Sequence, residues 1–193
     1  MTVILGTAGD NSTLSGGNQP DLIYGLSGDD RIEGRGGNDG LYGGSGVDTS
    51  LFGGNLDDSL FGGGGDDNVL EGGTGNDTLY GGSGADSRLR GNSGNDTIFL
   101  GSGEDFVGNG GSGDDVVYGG EGENVGLFGG LEGDDTLIGG NRRDSQIRGL
   151  SGNDRIFGGS FSDESLFGGS GDDAIYGGQG RDRSLYGGGG NDT

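Results

Sequence analysis

The chain has 193 residues, of which 56 are Gly, with no Cys, no His and a formal charge of −22. This excludes a disulfide framework, thiol chemistry, imidazole metal ligation and any Ser-His-Asp or Cys-His machinery. Ten basic residues, all Arg, face 32 carboxylates, so nucleic acid and anionic membranes are repelled and metal cations are the natural counter-charge.

In chain order, Thr2-Val3-Ile4-Leu5-Gly6 reads as a lone strand running into a turn, and residues 1–15 as an N-terminal strand or cap. The opening is too short and too uncharged for a secretory signal peptide. No stretch is apolar enough to span a bilayer, so no membrane insertion is expected. Pro20 falls in an early turn, where its fixed φ does no harm.

From Gly16 to the end, 16–193, one unit recurs. Its clearest form is Gly72-Gly73-Thr74-Gly75-Asn76-Asp77-Thr78-Leu79-Tyr80: a glycine-rich turn closed by an aspartate, then a three-residue strand. Units of nine residues alternate with units of ten, with one slip where Gly129 is read as extra, so the true period is about nineteen. Glycine this abundant without a period would signal disorder; with one it signals a solenoid. Two strands and two turns per coil predict an all-β fold, a right-handed parallel β-roll (a β-helix solenoid) of about ten coils. No linker divides it, so 1–193 is expected to be a single unit.

One aliphatic residue per strand should point inward. These are Leu41, Leu60, Leu79, Ile98, Val117, Leu137, Ile156 and Ile175 in the short units. In the long units they are Leu51, Leu70, Leu89, Leu127, Ile147, Leu166 and Leu185, with Gly108 where an aliphatic belongs. Such a thin core does not obviously offset the ordering of a glycine-rich backbone. The residue after each inward aliphatic should face out: Tyr42, Phe61, Tyr80, Phe99, Tyr118, Ile138, Phe157 and Tyr176 form an aromatic stripe. It reads either as a ladder of strand-favouring residues or as a surface for self-association or a polysaccharide.

The aspartates form two columns. The short-unit column is Asp21, Asp39, Asp58, Asp77, Asp96, Asp115, Asp135, Asp154, Asp173 and Asp192. The long-unit column is Asp30, Asp48, Asp67, Asp86, Asp105, Asp144, Asp163 and Asp182, with Asn124 as the one break. Stacking would bring like charges within about 4.8 Å, which calls for cations between them. Glycines such as Gly73, Gly75, Gly82, Gly84, Gly94, Gly113, Gly133, Gly152 and Gly171 allow positive φ and aim carbonyls inward. Carboxylate and carbonyl oxygens suit Ca²⁺, Mg²⁺ or Mn²⁺ rather than Zn²⁺ or Cu²⁺. The bland reading is that these aspartates only form turns.

Gly72 to Tyr80 and Gly168 to Tyr176 match Gly-Gly-x-Gly-x-Asp-x-aliphatic-x at every defined position. The unit resembles the repeats-in-toxin (RTX) nonapeptide of haemolysin-type calcium-binding proteins, and the resemblance covers nearly all of the chain. It implies a parallel β-roll with Ca²⁺ between successive turns on each edge. It also implies an extracellular or cell-surface bacterial protein, exported through a type I channel by a C-terminal signal. The family includes toxins, proteases, lipases, adhesins and surface-layer proteins, so it does not specify an activity. No catalytic site is expected within these residues.

Several positions depart from the pattern. Leu56, Arg142 and Phe161 replace the fourth-position Gly, and Asn124 supplies no charge. The short-unit edge should bind Ca²⁺ nearly throughout, and the other edge should have weaker or missing sites around Asn124, Arg142-Arg143 and Phe161. The two arginines either pair with nearby carboxylates or are simply solvated. Rows such as Thr74/Asn76, Ser93/Asn95 and Ser151/Asn153 resemble those of some ice-binding adhesins, but Gly189 and Glu132 break them. The chain stops mid-unit at Asn191-Asp192-Thr193 and starts on a strand half. Head-to-tail stacking of copies and a place within a longer repeat protein are both open.

Overall fold

A computed structural model describes all residues, 1–193. The chain is an all-β solenoid of twenty strands in two parallel sheets of ten. One sheet holds the odd-numbered strands, from β1 (Thr2–Leu5) through β9 (Thr78–Ser83) and β11 (Thr97–Ser102) to β19 (Ala174–Gly178). The other holds the even-numbered strands, from β2 (Leu14–Ser15) through β8 (Leu70–Thr74), β10 (Leu89–Ser93), β12 (Val107–Ser112) and β14 (Gly126–Glu132) to β20 (Leu185–Gly189). Residues 2–15 supply the first rung, since β1 pairs with β3 (Asp21–Ser27) and β2 with β4 (Arg31–Gly36).

Period fixes register. Thr78 pairs with Thr97, Leu79 with Ile98 and Tyr80 with Phe99, so equivalent residues stack rung on rung. Most strands run five to seven residues rather than the three expected, because the first glycines of the next turn also join the ladder. The slip also falls elsewhere than the units suggest. Gly111 pairs with Gly130 and Ser112 with Glu132, so the extra residue is Leu131, bulged out and 77% exposed. Gly129 keeps its structural place, beside the Asp135 carboxylate. A bulge absorbs one residue without disturbing the rungs beyond it.

Between the sheets lies a single file of sixteen fully buried aliphatic side chains. It contains the predicted inward residues except Ile175 and Leu185. Both lie in the last rung, where Ile175 is half-buried and Leu185 is 45% exposed. It also contains Ile23, Ile32 and, unexpectedly, Leu100. Leu100 occupies the slot held by Gly81 and Gly62 in preceding coils. Its side chain fills the gap left by Gly108, where an added β-carbon would sit 3.1 Å from both Leu100 Cδ2 and Val117 Cγ1. The two exceptions to the repeat therefore compensate each other.

Outside the odd sheet, Tyr24, Tyr42, Phe61, Tyr80, Phe99 and Tyr118 form a continuous stack, with centroids 4.7–4.8 Å apart and planes within 10°. Ile138 interrupts it, and Phe157 and Tyr176 resume it at 5.1 Å. The even sheet is mixed in charge, and Arg31 and Arg148 lie over the rings of Phe52 and Phe167.

The Leu100–Gly108 compensation is testable in thermal or denaturant melts. Leu100→Gly should cost about 2–5 kcal/mol through the cavity it opens. Gly108→Leu should cost about 1–3 kcal/mol through overpacking. The double variant should recover most of the loss; additive losses would contradict the compensation.

Candidate metal centre

The unit Gly72 to Tyr80 shows how each turn is built. β8 runs into Gly75-Asn76-Asp77, and β9 leaves it. Gly73 and Gly75 have φ of 124° and 129°, a region open to glycine and costly for other residues. The other predicted turn glycines (Gly82, Gly84, Gly94, Gly113, Gly133, Gly152 and Gly171) also have positive φ. Gly72 is required for space, since any β-carbon there would meet the Asp77 carboxylate folding back over it.

Each aspartate is tied to its neighbours above and below. The Asp77 N–H donates to Asp96 Oδ1 at 2.7 Å, and Asp77 Oδ1 accepts from the Asp58 N–H at 2.7 Å. The same bond links Asp39 to Asp58 and Asp135 to Asp154 on that edge, and Asp48 to Asp67 and Asp144 to Asp163 on the other. An unpredicted outer ladder follows the short-unit edge. Asn76 Oδ1 accepts from the Asn95 N–H, Asn95 Oδ1 from Asp114, and Asn153 Oδ1 from Asp172. The Asn of the suspected ice-binding rows are thus engaged in joining coils. An Asn or Asp one residue before each short-unit Asp from Asp39 onward was the available sequence signal.

Sixteen of the eighteen predicted aspartates are at most 3% exposed. Asp182 and Asp192, in the last rung, are half-buried and exposed respectively. Fifteen of the buried sixteen have an Oδ2 that is buried and has no partner at all, from Asp30 and Asp39 to Asp163 and Asp173. Asp21 is the exception: its Oδ2 accepts from the Gly17 N–H at 2.8 Å, and this bond draws its pKa below the ordinary value.

Nine of the orphaned Oδ2 atoms, those of Asp30, Asp39, Asp48, Asp58, Asp67, Asp86, Asp144, Asp163 and Asp173, share their corner with a backbone carbonyl oxygen of the next coil. The β-carbon position of Gly62 lies beside Asp67 Oδ2 and 2.5 Å from the Gly81 carbonyl oxygen of the next coil. At Gly53 the pair is Asp58 Oδ2 and the Gly72 carbonyl oxygen, the latter at 2.6 Å. Two acceptors with no donor between them are costly when buried. No three acidic side chains converge on one point. The donor set is a carboxylate plus backbone carbonyls, all hard oxygen, which fits Ca²⁺. Bound there, a divalent cation would supply the charge that neutralises the Asp columns, held by the Oδ2 atoms and the glycine carbonyls.

Without a cation the carboxylates resist ionisation. Burial, then the charge of neighbouring aspartates, pushes Asp58, Asp96 and Asp135 up to about 8, with the backbone N–H bond offsetting only part of this. Asp67, Asp86 and Asp115 rise to about 7 for the same leading reason, burial.

The departures sort into two kinds. Leu56 adopts the left-handed conformation of the Gly it replaces, with φ 71°, so its turn keeps its shape. Arg142 and Phe161 do not, and neither does Gly122, so three successive long-edge turns take another form. Arg143 forms an ion pair with Glu164 of the next coil, whereas Arg142 is exposed and makes no ion pair. Open cavities line this edge; one of about 560 Å³ is bordered by Phe106, Val125, Arg143 and three Glu.

A parallel solenoid with a buried, unpartnered carboxylate column along each edge is the architecture of a cation-binding repeat protein. The family model described as the RTX calcium-binding nonapeptide repeat matches residues 13–49, 63–87, 86–107, 109–125, 129–164, 149–184 and 161–193. These matches cover well over half of the chain, and the protein belongs to that family. No curated protein matches it.

The raised carboxyl groups set a pH test. Folded chelated protein would bind more protons than the unfolded chain between the ordinary carboxylate value near 4 and about 8. That contribution to the metal-free fold is full below pH ~4 and lost as pH rises through 6–8. With Ca²⁺, protons compete with the ion and the sign reverses. Circular dichroism in chelator should show more strand near pH 5 than near pH 8, and in Ca²⁺ no such loss toward pH 8.

Proposed function

We propose that this protein is a calcium-binding structural protein of the extracellular space, a β-roll building block of a filament, surface layer or matrix that folds on meeting Ca²⁺. The observation that carries this reading is the pair of Oδ2 columns, which make the fold conditional on a cation. A cytoplasm poor in Ca²⁺ leaves the chain a self-repelling coil suited to threading through an export channel. Millimolar Ca²⁺ outside closes it coil by coil. No helix is long and apolar enough to cross a membrane.

The odd sheet supports the assembling role. Its two solvent-facing columns are the aromatic stack and, beside it, Ser59, Thr78, Thr97, Val116, Thr136 and their register partners. Neither column carries an Asp or Glu, although the chain has 32, and Arg155 is the single charge. Two copies can meet on this face without opposing their carboxylates. A polysaccharide platform has less support, because stacked rings cover one another's faces and leave mainly edges for a sugar. Export-module and adhesin roles within a larger protein keep the same roll and the same Ca²⁺ chemistry.

Electron microscopy of protein purified in chelator, before and after millimolar Ca²⁺, tests assembly. Ordered bundles or sheets are expected only with Ca²⁺. Tyr80→Glu should keep the Ca²⁺-dependent strand signal and lose the bundles. Separate short rods from the unaltered protein in Ca²⁺ would remove the building-block reading.

A further inference from the structure

We propose that the calcium column of the long-unit edge has a built-in gap at Asn124, so that this edge is two ion columns rather than one. The inference rests on the calcium reading above and turns the weaker or missing site expected around Asn124 into a defined gap set by the two ends of its amide.

The geometry is specific. The Asp-to-Asp ladder on this edge runs unbroken through Asp30, Asp48, Asp67, Asp86 and Asp105, and resumes from Asn124 to Asp144. The one rung without its bond joins Asp105 to Asn124. Asn124 is 1% exposed, and its Oδ1, the atom that should accept the Asp105 N–H, is buried without a partner. Its Nδ2 takes the place that Oδ2 holds in other coils, 2.6 Å from the β-carbon position of Gly119.

An amide has one acceptor and one donor end. Turning Oδ1 to the Asp105 N–H completes the ladder and leaves the NH₂ group facing the cradle. Turning it to the cradle sets NH₂ against that N–H. In the first arrangement a cation meets a donor; in the second a rung stays broken. A carboxylate satisfies both demands at once, as it does in the neighbouring coils.

The rungs on either side of Asn124 also depart from the repeat. Leu100, one coil earlier, puts a β-carbon and an aliphatic chain where glycine borders the other cradles. One coil later Arg143 brings a fixed positive charge and bridges to Glu164.

Counting bound Ca²⁺ per chain, by equilibrium dialysis and atomic emission at saturating Ca²⁺, tests this directly. Asn124→Asp should raise the count by one. Asn124→Ala should leave it unchanged, and Asp86→Asn, a gap made deliberately on the same edge, should lower it by one. An Asn124→Asp count equal to that of the unaltered chain, or an ion lost in Asn124→Ala, overturns the proposal. An unaltered chain that binds no Ca²⁺ overturns the calcium reading as well, so the two failures are distinguishable.

Discussion

Two files of like charge, buried along the edges of a thin solenoid, govern this molecule. Fifteen of the aspartates use Oδ1 to accept a backbone N–H from the preceding coil and hold Oδ2 inside with no donor. The first interaction stacks the coils. The second would drive them apart unless a cation or a proton neutralises it. Core, ladders and aromatic stack all need the coils in register, so all depend on that neutralisation.

The other features serve this constraint. Glycines let the carboxylate fold back over the turn and let a carbonyl from the next coil approach it. The aliphatic file fills the slot between the sheets one residue at a time. The stacked rings add about 0.5–1.5 kcal/mol per pair beyond their burial. Since every rung contacts mainly its neighbours, ion binding at one rung favours the next.

The fold was legible because the period repeats so often that chance registration is implausible. The aspartate columns and the aliphatic columns could be written down from spacing alone. What spacing could not show was compensation across coils. Leu100 and Gly108 are both errors when scored against the repeat one position at a time, and they cancel only once the rungs are stacked. Leu131 was missed because a run of glycines allows several alignments, and only ladder pairing identifies the residue left over. Tyr24 begins the aromatic stack eighteen residues before Tyr42, off the nineteen-residue period, and so escaped the stripe. At Asn124 the sequence showed a lost charge, while the meaning of the substitution lies in which end of the amide faces the cradle.

A calcium titration of chelator-stripped protein above pH ~8, where the buried carboxyl groups can no longer hold their protons, followed by far-ultraviolet circular dichroism, separates a cation-dependent fold from a cation-independent one. The account predicts a disordered spectrum without Ca²⁺ and a cooperative rise of strand signal as Ca²⁺ enters the range of about 10⁻⁴–10⁻³ M. A full strand signal in excess chelator would contradict it, because the buried carboxylates would then be stable without the cation that their geometry requires.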